Sequence, residues 1–133
     1  MNPTRAIPGL ALALALAAPA QAAPSAQAER ETEQLIQALA GSGCKFERNG
    51  SWYDANEAQA HLRKKLAYLR KRDLADTAEL FIERAASESS LSGKPYHVRC
   101  GGGAATPAAA WLRARLVQLR NAKPPSPATP PSP

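Results

Sequence analysis

The first 22 residues restrict what this chain can fold into more than any other feature of its sequence. Arg5 precedes an apolar stretch at 10–18, and the small residues Ala20 and Ala22 then satisfy the A-x-A rule for cleavage by signal peptidase. The apolar stretch has about nine residues, whereas a helix needs about 20 to span a bilayer. The segment therefore predicts a signal peptide at 1–22 that is cleaved near Ala22, export to the periplasm or beyond, and no transmembrane segment.

Cleavage would leave one short domain between two unstructured ends. Residues 23–28 predict a flexible N-terminus, with a second possible A-x-A cleavage site at 26–28, and the Pro-rich residues 122–133 predict a disordered tail. Between them, residues 29–121 predict a single domain of about 90 residues. A domain of this size buries only about 60–65% of its unfolded surface, so its core is thin and a covalent cross-link would stabilise it.

Cys44 and Cys100 can supply that cross-link, because disulfides form in the oxidising compartments outside the cytoplasm. In the chain-entropy model, closing a loop of this length stabilises the folded state by roughly 4 kcal/mol. The alternative is a thiol that reacts with a partner or takes part in redox chemistry, but no C-x-x-C motif supports redox catalysis. The sequence therefore predicts a disulfide between Cys44 and Cys100.

The chain is basic, with 17 Lys and Arg residues against 11 Asp and Glu, and removal of Arg5 lowers the net charge from +6 to +5. This charge favours an envelope protein or an anionic envelope component as the partner. Nucleic acid is not predicted as a partner, because an exported protein rarely meets chromosomal DNA. Six cations lie within ten residues, and the simplest interpretation is a solvated helix face: Arg63, Lys64, Lys65, Arg70, Lys71 and Arg72.

Four helices are indicated by apolar periodicity and by capping residues. The first is predicted at 30–40. The second and third, at 54–72 and 76–86 with their caps included, each open with an aspartate. The last is predicted to begin at 106–107, with threonine as the cap and proline in the first turn.

Short alternating segments predict a small sheet. Asn49-Gly50 tolerates the positive φ angles of a type I′ turn, and the alternation at 44–48 and 51–53 on either side of it predicts a hairpin. Alternation at 95–100 predicts a further strand, which the disulfide would bring close to the hairpin. The sequence therefore predicts an α+β fold, with about four helices packed on a small two- to three-stranded antiparallel sheet.

Four segments, in this order, resemble a known family. They are Phe46-Glu47-Arg48-Asn49-Gly50; Glu57-Ala58 with His61-Leu62-Arg63 and Lys65; Thr77-Ala78-Glu79 with Phe81-Ile82; and Ala86-Ser87 through Ser89-Ser90 to Gly93-Lys94-Pro95-Tyr96. Together they resemble the YfeK-like family of small exported proteins, which is a domain of unknown function, and the likeness covers most of residues 30–120. The resemblance implies a fold unit and an envelope location, and it implies no reaction.

A polar flank of the second helix is the strongest candidate site. Glu57, His61 and Lys65 follow one another at four-residue intervals, and the loop that contains Ser89 and Ser90 could fold over them. Three interpretations follow: a Ser/His/Glu nucleophilic site, a polar recognition site, or hydrogen bonds that hold the loop and cap the preceding helix. No G-x-S-x-G motif supports catalysis.

The same loop supports another hypothesis. Ser92-Gly93-Lys94-Pro95-Tyr96 fits the pattern S-G-x-x-Y, which resembles the loop that periplasmic lysozyme inhibitors insert into the carboxylate-lined cleft of the enzyme. This hypothesis requires that Ser92, Lys94 and Tyr96 be exposed. A nucleophilic serine instead requires a hydroxyl oxygen within hydrogen-bonding distance of His61.

Neither a metal site nor a cofactor site is predicted, because His61 and His97 are 36 positions apart and both cysteines are assigned to the disulfide. We expect a small module, without catalytic residues, that binds an envelope partner. An inhibitor of a secreted hydrolase such as lysozyme is the first alternative, and a small Ser/His hydrolase is the second. The candidate binding residues are Asn49, Glu57, His61, Lys65, Ser89, Ser90, Ser92, Gly93, Lys94 and Tyr96.

Overall fold

Four helices and four strands form the described part of the chain, which is residues 3–4, 8–13 and 24–122 of the computed structural model. Most of the predicted signal peptide and the tail from residue 123 onward lie outside these ranges. The elements in chain order are α1 (Ala26–Ala40), β1 (Lys45–Arg48), β2 (Ser51–Tyr53), α2 (Ala55–Arg70), α3 (Ala78–Ala85), β3 (His97–Arg99), β4 (Thr106–Pro107) and α4 (Ala108–Asn121).

Helix α1 begins four residues earlier than the sequence indicates. Ser25 has an extended backbone, and its hydroxyl accepts a hydrogen bond from the backbone N–H of Ala28 at 3.1 Å. This bond satisfies one of the amide groups that a helix leaves unpaired at its start. Residues 26–28 are therefore helical, and they do not belong to the flexible start that is predicted at 23–28.

The turn between β1 and β2 has the predicted geometry. Asn49 and Gly50 have φ angles of 51° and 84°, both positive as a type I′ turn requires. The carboxylate of Glu47 accepts a hydrogen bond from the backbone N–H of Gly50 at 2.7 Å, which fastens the turn to the strand before it. The hairpin register pairs Phe46 with Tyr53 and Arg48 with Ser51. Asn49 and Gly50 are therefore the two residues of the turn, as predicted.

The sheet has one strand more than the sequence predicts. Its order is β2-β1-β3-β4, and all neighbouring strands are antiparallel. Thr106 and Pro107 are not the cap and first turn of α4; they form β4, in which Thr106 pairs with Val98 and Pro107 with His97. The free edge of β3 offers backbone groups to this segment, and such long-range pairing outweighs the local capping signal.

Helices α2 and α3 are capped by side chains. Asp54 accepts a hydrogen bond from the backbone N–H of Glu57 at 2.8 Å, as its spacing predicts, and α2 then ends at Arg70. Helix α3 is capped by Thr77, whose hydroxyl accepts from the backbone N–H of Leu80 at 3.1 Å. Asp76, the predicted cap of this helix, therefore lies one residue before the true cap.

The core lies where the helices meet one another and the inner strands β1 and β3, and the predicted α+β class is confirmed. The predicted disulfide is also present, because the sulfur atoms of Cys44 and Cys100 are bonded at 2.03 Å. It joins the residue before β1 to the residue after β3. Within the described residues, no helix is both long and apolar enough to cross a membrane. The largest fully buried side chains are Leu35, Ile36, Leu39, Phe81, Ile82, Val98 and Leu112.

Candidate functional site

Two adjoining cavities lie beside the β1–β2 hairpin, helix α2 and the loop at 86–96, and the larger one also reaches α1 and α4. The larger has a volume of about 420 Å³ and is lined mainly by apolar side chains, and we call it the apolar cavity. The smaller has a volume of about 320 Å³ and is more polar. Arg48, His61 and Tyr96 line both cavities, and Lys65 lines the smaller one. We call these four residues the cationic cleft.

His61 lies at the centre of the cationic cleft. Its Nδ1 atom is 2.7 Å from Nη1 of Arg48, and its Nε2 atom is 3.1 Å from the phenolic oxygen of Tyr96. A guanidinium can only donate, so Nδ1 accepts and Nε2 carries the hydrogen that is donated to Tyr96. Burial, together with the charges of Arg48, Lys65 and Lys64, lowers the pKa of His61 to about 4. The imidazole is therefore neutral at physiological pH.

Lys65 closes the other side of the cleft. Its Nζ atom donates to the phenolic oxygen of Tyr96 and to the backbone oxygen of Glu88, each at 3.2 Å. Burial and the charge of Arg48 lower the pKa of Lys65, an effect that the carboxylate of Glu88 partly opposes. Burial raises the pKa of Tyr96, so its phenol stays protonated. Two cations, Arg48 and Lys65, thus contact two uncharged rings, the imidazole of His61 and the phenol of Tyr96.

Ser89 organises the loop that covers the cleft. It is buried, and its hydroxyl accepts hydrogen bonds from the side-chain amide of Asn49 at 3.1 Å and from the backbone N–H of Leu91 at 3.3 Å. The backbone oxygen of Ser89 accepts from Gly93 at 2.9 Å. Asn49 also accepts a bond from the hydroxyl of Ser92. The predicted residues Asn49, Ser89 and Ser92 therefore form a network that holds the loop to the hairpin turn.

The serine nucleophile hypothesis lacks its central contact. Within residues 24–122, His61 forms hydrogen bonds with Arg48 and Tyr96 and none with a serine or with Glu57. The hydroxyl of Ser87 donates to the backbone oxygen of Ile82 at 2.8 Å, near the end of α3. The loop serines for which bonds are present thus hold the loop and the preceding helix, as the structural interpretation expects. That interpretation also has His61 bonded to the loop backbone, whereas His61 bonds the side chains of Arg48 and Tyr96.

The lysozyme-inhibitor hypothesis requires three exposed side chains, and one of them is buried. Ser92 and Lys94 are exposed, but Tyr96 is only 6% exposed and its hydroxyl points to His61 and Lys65. The S-G-x-x-Y pattern thus contributes its tyrosine to the floor of the cleft. The loop does not present this side chain to a partner enzyme.

The remaining predicted residues are arranged around the cleft and not within it. Glu57 lines the mouth of the apolar cavity, and Ser90 lines the smaller cavity. Gly93 and Lys94 line neither cavity and are exposed at the tip of the loop. The flank of α2 thus meets the loop as predicted, but only His61 and Lys65 of that flank contact Tyr96.

Two side chains that line both cavities, Arg48 and Tyr53, were missed by reasoning from the sequence. Arg48 binds His61, and its guanidinium lies 5.0 Å from the centre of the Tyr53 ring. The guanidinium of Arg48 lowers the pKa of Tyr53. The alternation in β1 was the available signal, because Phe46 and Arg48 share one face of the strand and Phe46 is buried.

No carboxylate among residues 24–122 forms an ion pair with either cation of the cleft, although that of Glu88 acts on Lys65 from a greater distance. Arg48 and Lys65 are both partly buried, and neither belongs to an ion pair in this part of the chain. Burying a charge is costly unless it is paired, so such a pair of cations attracts an anion. Ion pairs do form between Arg63 and Glu33 and between Arg120 and both Glu31 and Glu79, and Nδ1 of His97 contacts the carboxylate of Glu47 at 2.7 Å.

A metal centre has no support in the same region. Among the described residues, no group of three or more His, Cys, Asp or Glu side chains is arranged to hold a metal ion. Both cysteines are consumed by the disulfide.

The fold and the site together define a small disulfide-linked α+β domain with a cationic cleft beside an apolar cavity. Residues 26–120 match the group described as "Family of unknown function (DUF5329)", and the chain belongs to this family. It is also 48% identical over 63 residues to "Uncharacterized protein YfeK" of Salmonella typhimurium (strain LT2). The match spans 47% of this chain and 51% of the Salmonella protein, so the chain covers about half the length of that relative. No solved structure matches the chain.

The resemblance to YfeK-like proteins that the sequence motifs indicate is thereby confirmed. Neither description names a ligand, a partner or a reaction. Any function of this chain must therefore be argued from its cleft.

Proposed function

We propose that this protein is exported and acts outside the cytoplasm as a small binding module, and that its cationic cleft binds the anionic group of an envelope partner. The observation that carries the proposal is the position of Arg48 and Lys65, two partly buried cations that form no ion pair with a carboxylate in residues 24–122. A binding role is favoured over catalysis because the central imidazole of His61 is bonded to Arg48 and Tyr96.

The chemistry of the cleft suits an anion with at least two acceptor oxygens. The guanidinium of Arg48 has five N–H donors, of which the observed contacts with His61 use only part. Lys65 contributes an ammonium group, which in this structure donates hydrogen bonds to two uncharged oxygens, those of the Glu88 backbone and the Tyr96 phenol. Hydrogen bonds to a charged acceptor are roughly twice as strong as neutral ones, so a carboxylate, sulfate or phosphate group is the favoured guest.

Sulfate is the probe that tests this site. Isotope-labelled protein is titrated with sodium sulfate while sodium chloride is reduced to hold the ionic strength constant. We expect saturable NMR shifts of the side-chain signals of His61 and Tyr96. Arg48→Gln and Lys65→Gln should each weaken this response, whereas Arg113→Gln, a matched change at an exposed position on α4 outside both cavities, should not.

Two results would overturn the binding proposal. The first is a sulfate response of equal strength in all three variants. The second is a response that spreads over the exposed cations of α2 and does not saturate, since this is the behaviour of nonspecific attraction that salt screens.

The proposed export has a separate test. Cleavage after Ala22 would leave Ser25 in place as the cap of α1, whereas cleavage at the alternative site after Ala28 would remove that cap and the first turn of the helix. We expect the full chain, expressed in a bacterium with an intact secretion system, to be recovered from the periplasm or the medium with Ala23 as its N-terminus. Recovery of the uncleaved chain in the cytoplasm would refute export.

A further inference from the structure

We infer that the ligand of the cleft is an anionic amphiphile with one linear apolar chain, namely a fatty acid. Its carboxylate would lie between Arg48 and Lys65, and its hydrocarbon chain would occupy the apolar cavity. The inference rests on the proposed function, since the same two cations hold the head group. Beyond that function, the inference names the chemical class of the ligand and says where its hydrocarbon chain lies.

The size and the lining of the apolar cavity support a hydrocarbon chain. Its volume of about 420 Å³ falls within the range of roughly 300–1,000 Å³ that is typical of small-molecule sites. Alanine side chains are small and leave the cavity open, and larger apolar side chains form its walls. The lining includes Ala58, Ala86, Ala108, Phe46, Leu62 and Leu112, all of which are buried.

The order of polarity along the site selects an amphiphile. Arg48, His61 and Tyr96 line both cavities, so the positive charge stands at the boundary between the polar space and the apolar space. A ligand that fills both must carry its charge at one end and hydrocarbon at the other. A sugar or a peptide would bury polar groups against alanine and leucine without hydrogen-bond partners, which is costly.

The sign of the charge at the mouth is decided by the two cations of the cleft. Glu47 also lines the apolar cavity, but its carboxylate is bound to His97 at 2.7 Å. Glu57 and Lys64 are both exposed at the mouth and carry opposite charges. The carboxylate of Glu88 acts on Lys65, but the charges that act on His61 at the centre of the cleft come from Arg48, Lys65 and Lys64 and are all positive, which complements a carboxylate.

Calorimetric titration with three probes separates the contributions of charge and chain. The probes are decanoate below its micelle concentration, 1-decanol, which has the same chain without the charge, and acetate, which has the charge without the chain. We expect decanoate to bind at least about tenfold more tightly than either of the others, because each buried methylene group adds favourable free energy.

Cavity-filling variants test where the chain lies. Ala60→Leu places a larger side chain at an exposed position in the lining of the apolar cavity, so it should not endanger folding, and Ala58→Leu fills the cavity from a buried position on the same helix. Both should weaken decanoate binding by about tenfold or more while leaving acetate binding unchanged. Ala67→Leu, an exposed change on α2 outside both cavities, is the matched control and should leave both affinities unchanged.

The outcomes distinguish this inference from the function on which it rests. If decanoate binds no more tightly than acetate and both depend on Arg48, the fatty-acid inference is wrong and the anion site stands. If decanol binds as tightly as decanoate and Arg48→Gln changes neither affinity, both proposals fail. Equal weakening by Ala60→Leu and Ala67→Leu would show that the chain lies outside the apolar cavity, which also overturns the inference.

Discussion

Nδ1 of His61 accepts a hydrogen bond from Nη1 of Arg48 at 2.7 Å, and this contact joins strand β1 to helix α2 through a neutral imidazole. Protonation of the ring would remove the acceptor and place two cations in contact. Burial is the largest cause of the low pKa of His61, and the charge of Arg48 is the next. At neutral pH the positive charge of the cleft therefore resides on Arg48 and Lys65.

The first prediction concerns the titration of His61. Its ring should titrate with a pKa of about 4 in the folded protein, well below the ordinary value of 6.5. Arg48→Gln should raise this pKa, because it removes a nearby positive charge that opposes protonation. The chemical shifts of the ring protons, followed by NMR from pH 3 to 8, measure both values. The control Arg113→Gln should leave the midpoint unchanged, and a wild-type midpoint near 6.5 would contradict the prediction.

The second prediction is a loss of stability between pH 6.5 and pH 4. In this window the unfolded chain protonates His61 and the folded chain does not, since the folded pKa is about 4 and the ordinary value is 6.5. The unfolded state thus binds more protons, so the free energy of unfolding falls as the pH is lowered and levels off below the folded pKa. His61→Gln should flatten this slope in urea unfolding curves at pH 7, 5.5 and 4.5. An unchanged slope in the variant would assign the effect to other groups.

The third prediction concerns Asn49, whose side chain holds the hairpin turn to the loop through Ser89 and Ser92. Asn49→Ala should lower the free energy of unfolding by about 1–3 kcal/mol, because it leaves the buried Ser89 without one partner and puts alanine at a positive φ. The control is Asn56→Ala at an exposed position on α2, where alanine suits the helix and stability should hold or rise slightly. Urea unfolding of the two variants should therefore differ, and equal losses would refute the role of Asn49.

Elements whose signals are local could be predicted from the sequence, and the φ angles of Asn49 and Gly50 show why. A type I′ turn needs a positive φ at both positions, and this pair of residues tolerates it, so the hairpin follows from two neighbours in the chain. Strand β4 could not be foreseen in the same way. Thr106 and Pro107 carry the signals of a helix start, and their pairing with β3 depends on an edge that exists only in the folded protein.

The candidate site shows the same division. The four-residue spacing correctly placed His61 and Lys65 on one flank of α2, where both reach Tyr96. The partner of Ser89 is Asn49, 40 positions away, and nothing in the loop itself indicates that pairing. Arg48 was missed because its partner His61 is 13 positions away on another element. Contacts of this kind depend on how the hairpin lies against α2, which no local pattern encodes.

The fourth prediction is that purified protein in excess does not inhibit lysozymes. The inhibitory loop would need to present Tyr96 to the enzyme, and this side chain is 6% exposed with its hydroxyl bonded inside the cleft. Exposing it would break the contacts with His61 and Lys65. Activity assays with several lysozyme types measure the effect. Stoichiometric inhibition that is lost in Lys94→Ala would contradict the prediction and restore the loop as an inhibitory element.

The fifth prediction concerns the disulfide between Cys44 and Cys100, which are 56 positions apart and flank β1 and β3. Replacing both cysteines with alanine should lower the free energy of unfolding by roughly 4 kcal/mol, because the unfolded chain regains the freedom that the closed loop removes. Small domains have a total of only about 5–15 kcal/mol, so the variant should be close to unfolded at 37 °C. Urea unfolding of the wild type with and without a reducing agent should give the same difference. A loss below about 1 kcal/mol would show that the unfolded chain keeps contacts between these segments, so that the cross-link removes little of its freedom.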